Sequence, residues 1–98
     1  MIELRKTAEF LEWFEGLRDP IAFARIQMRL DRVQRGLNGD YKHVGEGVFE
    51  LRIHCGPGYR VNFTHRGAAL VIVLAGGDKG SQEQDIRKAL ELARTLDE

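Results

Sequence analysis

Val48-Phe49-Glu50-Leu51-Arg52-Ile53-His54, then Gly56-Pro57-Gly58, then Tyr59-Arg60-Val61-Asn62-Phe63-Thr64-His65 is the stretch that decides how this chain folds. Both long runs alternate apolar and polar residues, the period of a strand with one face buried. Phe49, Leu51 and Ile53 share a side in the first run, and Tyr59, Val61 and Phe63 share one in the second. Glu50, Arg52, His54, Arg60, Asn62 and Thr64 take the other side. The Gly-Pro-Gly link is of hairpin length. Putting both apolar sets on one face requires paired residue numbers that sum to an even value, and this turn predicts sums of 112 or 114. Arg52 then lies opposite or diagonal to Arg60.

Outward from this hairpin, strands are expected at Tyr41–Val44 and Ala68–Ala75, joined through Gly45-Glu46-Gly47 and Arg66-Gly67. Leu70-Val71-Ile72-Val73-Leu74 is apolar on both sides, which suits a strand covered on both faces. Upstream, Met1–Arg5 alternates as a short strand, and Thr7 is placed to cap a helix over Ala8–Leu17 with Phe10, Trp13, Phe14 and Leu17 on one face. Asp19-Pro20 restarts the helix as N-cap and first residue, and the second helix runs to about Arg35. Its stripe is Ala22, Ile26, Leu30, Val33 and Leu37, beside a ridge of Arg25, Arg29 and Arg32. Downstream, Ser81 and Gln84 read as a capping box for a last helix with Ile86, Ala89, Leu90, Ala93 and Leu96 on one face. The expected fold is α+β over residues 1–98 as one domain: a strand, an αα hairpin, a four-stranded antiparallel meander and a C-terminal helix, with the helices on one sheet face.

A length of 98 residues excludes an enzyme with separate cofactor and substrate domains. Fifteen Lys and Arg balance fifteen Asp and Glu, so the strong overall positive field of many nucleic-acid binders is missing. Cations must act locally, and residues 41–80 carry five Lys and Arg against three Asp and Glu. Cys55 stands alone, so no internal disulfide forms, and it is read as a small buried residue rather than a nucleophile. The longest apolar run, residues 68–75, is far below the ~20 residues of a membrane span. A cytoplasmic location is expected, with no membrane association.

Chemistry concentrates on the polar side of the hairpin. Two arginines side by side repel by a few tenths of a kcal/mol or more. Either a phosphate bridges them, since guanidinium forks bind phosphate oxygens bidentately, or each pairs with a nearby carboxylate, such as Arg52 with Glu50. Lys79, in Gly76-Gly77-Asp78-Lys79-Gly80, could bring an ammonium to the same face, or its glycines could serve the turn alone. His43, His54 and His65 with Cys55 match no zinc spacing, so no metal and no other cofactor is expected, while His43 and His54 remain candidates for proton transfer. The arginine ridge either stands solvated or touches RNA backbone or an acidic partner.

Several segments together resemble a known family: Glu9-Phe10-x-x-Trp13-Phe14-x-x-Leu17-Arg18-Asp19, Ala24-Arg25-Ile26-x-x-Arg29-Leu30, Gly39-Asp40-x-Lys42, Glu50-Leu51-Arg52-Ile53, Gly56-Pro57-Gly58-Tyr59-Arg60-Val61 and Gly76-Gly77-Asp78-Lys79. They resemble the HigB-like addiction-module killer proteins, a branch of the RelE/ParE toxin superfamily. The resemblance implies the toxin of a bacterial type II toxin–antitoxin pair, held inactive by a cognate antitoxin of helix-turn-helix type. It implies a ribosome-dependent endoribonuclease that cuts mRNA without a metal, through attack of a 2′-hydroxyl on the adjacent phosphate. Carried onto this chain, Arg60 and Arg52 are the phosphate and transition-state ligands, with Lys79 third. Family members often bring a Tyr or His near the C-terminus for proton transfer, but nothing after Lys79 here is aromatic or His. That leaves Lys42, His43, Glu50, His54 and Tyr59 as substitutes, with Lys42, His43, Arg25 and Arg29 as RNA-binding candidates. The alternatives are a ParE-like toxin that poisons DNA gyrase without catalysis, and a degenerate toxin that only binds its antitoxin.

Overall fold

A computed structural model describes residues 1–96. Its elements are β1 (Glu3–Lys6), α1 (Ala8–Glu15), α2 (Pro20–Gln34), β2 (Tyr41–Gly45), β3 (Val48–Ile53), β4 (Tyr59–Arg66), β5 (Leu70–Gly77), a 3-10 turn (Lys79–Ser81) and α3 (Gln82–Leu96). The α+β plan is as expected, and β2 to β5 form the antiparallel meander. β1 adds a fifth strand, parallel to β5, giving the order β1-β5-β4-β3-β2. In the central hairpin Val48 faces Thr64, Arg52 faces Arg60 and Ile53 faces Tyr59, so paired numbers sum to 112.

The caps at Thr7 and Asp19 form as the sequence indicates. Thr7 does more than cap: its N–H donates to the Val73 carbonyl, its hydroxyl donates to the Leu74 carbonyl, and it accepts from the Phe10 N–H. The end of β1 is thereby tied to β5 as the chain turns into α1. Asp19 accepts from the N–H groups of Ile21 and Ala22, with Pro20 at the first helical position.

Three details differ from expectation. The β4–β5 turn uses residues 67–69, with Gly67 at φ +70°, so Arg66 pairs with Leu70 and β5 runs two residues further, to Gly77. Before α3 the capping box is Asp78 with Ser81, not Ser81 with Gln84. The Asp78 carboxylate reaches both the Gly80 and Ser81 N–H groups, and Ser81 thereby becomes the third residue of the turn. Leu37 lies beyond the end of α2 and is exposed instead of extending the stripe.

The helices also divide between the two faces of the sheet. Phe10 and Phe14 of α1 and Ile26, Leu30 and Val33 of α2 pack on Leu51, Ile53, Val61, Phe63, Val71 and Val73. Ala89 and Ala93 of α3 pack on Val48 and Leu74 from the opposite side. Two adjacent glycines mark this division. A Cβ on Gly76 would stand 2.3 Å from the Trp13 ring of α1, and one on Gly77 would stand 1.7 Å from the Asp85 carboxylate of α3. The reason is the two-sided apolar β5: Val71 and Val73 serve one core while Ile72 and Leu74 serve the other. Small Ala89 and Ala93 let α3 lie close.

Candidate functional site

The polar side of the hairpin is roofed at one end by the start of α3. Glu50, Asn62 and Thr64 are buried there, although all three belong to the side expected to be open. Gln82, the first residue of α3, donates its amide to both Glu50 oxygens at 3.1 Å. Thr64 donates to the Gly47 carbonyl at 2.8 Å. Burial of a carboxylate requires a counterion and hydrogen bonds, and Arg60 supplies the charge with its Nη1 3.5 Å from Glu50 Oε1. The Arg60 side chain is itself only 14% exposed.

Arg52 and Arg60 are direct cross-strand partners, and each has its own carboxylate. Arg52 pairs with Asp40, Nη2 to Oδ1 at 3.0 Å, and not with Glu50, which belongs to Arg60. The other oxygen of Asp40 lies 2.5 Å from Nε2 of His54. One carboxylate therefore spans an arginine and a histidine on the same side of the sheet. The hydrogen bond to His54, followed by the charge and hydrogen bond of Arg52, outweighs burial and holds the Asp40 carboxyl below its ordinary range. The His54 side chain is 77% exposed, so its ring is open to a ligand.

The other expected residues separate into those this cluster includes and those it does not. Lys42 pairs across strands with Glu50 and stands exposed at the edge strand β2. Lys79 is exposed in the turn before α3, with its Cβ against Gly58 of the hairpin turn. His43 points to the opposite face, where its ring meets Phe49 and its Nε2 accepts from the Gly47 N–H at 3.2 Å. Tyr59 also lies on that face, edge-on to Trp13. Burial first, then the charges of Asp19, Cys55 and Asp78, push its hydroxyl above the ordinary tyrosine value, so it keeps its proton. Neither residue joins the arginine pair.

Arg29 is a structural fastener rather than a member of a free ridge. Its Nη1 donates to the Arg52 carbonyl at 2.6 Å, and its Nη2 donates to the carbonyls of Asn38 and Asp40 at 3.0 Å each. Burial lowers its pKa, opposed by Asp40 and reinforced by Arg32. Arg25 remains exposed and places Nη1 3.4 Å from the His54 carbonyl. Arg25, Met28, Arg29, Ile53 and His54 line a groove of about 300 Å³.

The sequence alone gives Asp40 and Gln82 no site role, although Asp40 falls in one of the segments that carry the resemblance. Asp40 sits in Gly39-Asp40 turn chemistry, and the spacing of 14 residues to His54 carries no local signal. Gln82 is one polar residue among several at the start of a helix. Among the described residues, no group of three or more His, Cys, Asp and Glu side chains could hold a metal ion. Among the same residues, no helix is long and apolar enough to cross a membrane.

A protein of Haemophilus influenzae, described only as uncharacterized, is 44% identical over 95 residues, covering 97% of this chain and 96% of the relative. No solved structure gives a significant match. The family model for phage derived proteins of Gp49-like type (DUF891) matches residues 12–97. The chain therefore belongs to the Gp49-like family, a toxin-like family within the RelE-like superfamily of toxin–antitoxin toxins.

Proposed function

We propose that this chain is the toxin of a type II toxin–antitoxin pair and cuts ribosome-bound mRNA in the bacterial cytoplasm, as the HigB-like resemblance implies. The observation that carries the reading is the direct opposition of Arg52 and Arg60, with His54 two residues along the same side. Each arginine is held by a carboxylate, so both guanidinium groups are positioned before a phosphate arrives. Membership in a toxin-like family supports the reading and makes an antitoxin the expected partner.

In this chemistry an RNA 2′-oxygen bonds to the adjacent phosphorus and the bond from phosphorus to the 5′-oxygen breaks. The products are a 2′,3′-cyclic phosphate and a 5′-hydroxyl. Arg52 and Arg60 stabilise the added negative charge on the phosphorane oxygens, and Lys79 adds a third cation at the approach. A net charge of zero fits an enzyme that takes most of its RNA affinity from the ribosome.

Expression of the chain without its antitoxin is the test. Arrest of translation with mRNA cut at codons is expected, and Arg60→Ala should reduce cleavage by about 10²-fold, the usual cost of removing one charge-stabilising donor. Unchanged cleavage by that variant overturns the arginine pair as the phosphate ligand. Intact mRNA with DNA damage or filamentation points to the gyrase-directed alternative, and no growth effect points to a chain that only binds antitoxin.

A further inference from the structure

Asp40 is held more firmly than a solvated turn residue needs to be. Its carbonyl accepts from the Arg52 N–H and from Arg29 Nη2, both at 3.0 Å. Its two carboxylate oxygens go to Arg52 and to His54. Backbone and side chain are thus fixed by residues of both α2 and β3, just before β2 begins. The histidine so fixed is the most exposed member of the cluster and borders the groove between α2 and the end of β3.

A carboxylate accepts and cannot donate, so its bond to Nε2 places the imidazole proton on that nitrogen. The lone pair then sits on Nδ1, which has no hydrogen-bond partner among the described residues. A carboxylate behind one ring nitrogen also stabilises the imidazolium formed when the other nitrogen takes a proton, the arrangement that gives a histidine base its direction in hydrolytic triads. The charged groups around His54 are Asp40 and Arg52 on the sheet side, and Arg25 and Arg29 from α2. Among the described residues, Asp40 is the one carboxylate recorded in hydrogen-bond or ion-pair contact with His54.

We infer that His54 is the proton-transfer residue of the site and that Asp40 is its positioning residue, an inference that rests on the RNA-cleavage reading above. Nδ1 of His54 takes the proton of the attacking 2′-hydroxyl as the oxygen–phosphorus bond forms. The departing 5′-oxygen takes a proton from water, and the imidazolium returns its own proton to solvent. Arg52, sharing the Asp40 carboxylate, links the base to the phosphate-binding arginine opposite. The group that the resemblance would place near the C-terminus is supplied here from the end of β3.

The experiment uses the full chain with translating ribosomes and a defined mRNA. His54→Ala should lose about 10² to 10⁴-fold in cleavage rate while still binding the ribosome, and added imidazole should restore part of the rate. Asp40→Asn should lower the rate at saturation more than it changes half-saturation, and nitrogen NMR of His54 should show the tautomer balance moving away from Nε2–H. A purely structural Asp40 would leave the tautomer of His54 unchanged in Asp40→Asn. Full activity of His54→Ala, failure of imidazole to rescue, or an unaltered tautomer in Asp40→Asn overturns this assignment while the arginine pair stands. A wild-type chain that leaves ribosome-bound mRNA intact overturns both the assignment and the function proposed above.

Discussion

On the side of the sheet that α1 and α2 cover, Phe10, Ile26, Leu30, Leu51, Val61 and Phe63 are sealed together, with no fully buried charge among the described residues there. Phe10 and Phe14 stack with centroids 5.3 Å apart, and Phe14 stacks on Phe23 at 4.2 Å. The α3 side buries Val48, Leu74, Ala89 and Ala93, but also Glu50, Asn62 and Thr64. Burying a carboxylate and a guanidinium gives no stability that apolar residues of the same volume could not match. The first face is therefore built for stability, whereas the second accepts a cost to hold charged groups in fixed positions. Under the function proposed above, the difference marks the place where holding a phosphate site takes precedence over apolar packing.

The largest expected effects test that contrast directly. Phe10→Ala leaves an apolar cavity and should cost about 3–5 kcal/mol. Glu50→Ala leaves Arg60 buried without its counterion and should cost a similar ~3–5 kcal/mol. The two faces part company in the repair experiment. Replacing Glu50 and Arg60 together by Met should recover most of the loss in urea unfolding, while abolishing the arginine pair proposed to bind phosphate. A double variant as unstable as Glu50→Ala would make the buried network part of the stabilising framework and end the contrast.

Next in size is Arg29→Ala. Three charge-assisted bonds hold the entry to β2 and the end of β3 together, and their loss should cost about 2–3 kcal/mol. Hydrogen exchange should speed up at the Arg52 amide, whose acceptor is the same Asp40 carbonyl that Arg29 grips. Arg29→Lys should recover little, because a single ammonium cannot span three carbonyls as a planar fork does. A fully stable Arg29→Ala with unchanged exchange would return this arginine to a solvated ridge.

The smallest effect concerns Asp40 and is read through pH. Its carboxyl sits below the ordinary value because His54, then Arg52, favours its charged form. A depressed carboxyl contributes stability that is fully present above the unfolded value, about 3.9, and lost as pH falls through the folded value. The part of the melting-temperature gap between wild type and Asp40→Asn that comes from this carboxyl should thus close as pH falls below about 4. A gap that stays open in strong acid would show that the pairing is not ionic.

Legibility followed distance along the chain. The Arg52–Arg60 opposition was readable because the hairpin turn between them is short and the alternation of Phe49, Leu51, Ile53, Val61 and Phe63 admits few registers. The caps at Thr7 and Asp19 were readable because a cap acts within three residues. His43 and Tyr59 enter as stand-ins for the C-terminal proton-transfer group that the resemblance implies, yet strand alternation already sets Tyr59 beside Val61 and Phe63, and both residues lie on the aromatic side. Arg29 looked like surface charge because helical periodicity says which side of α2 it occupies, not that three carbonyls of a distant segment wait there.

The sequence by itself determined the order of elements and the antiparallel meander, narrowed the register of its central hairpin to two choices and marked the caps of the first two helices, all of which rest on interactions within an element or across a tight turn. Only the tertiary structure decided that β1 runs parallel beside β5, that α3 roofs the charged face opposite the other helices, and that Asp40 stands between Arg52 and His54. These depend on where long connections carry already formed elements. A two-sided apolar strand such as β5 admits a helix on either face, and the choice is settled by the packing of the whole core rather than by any local pattern.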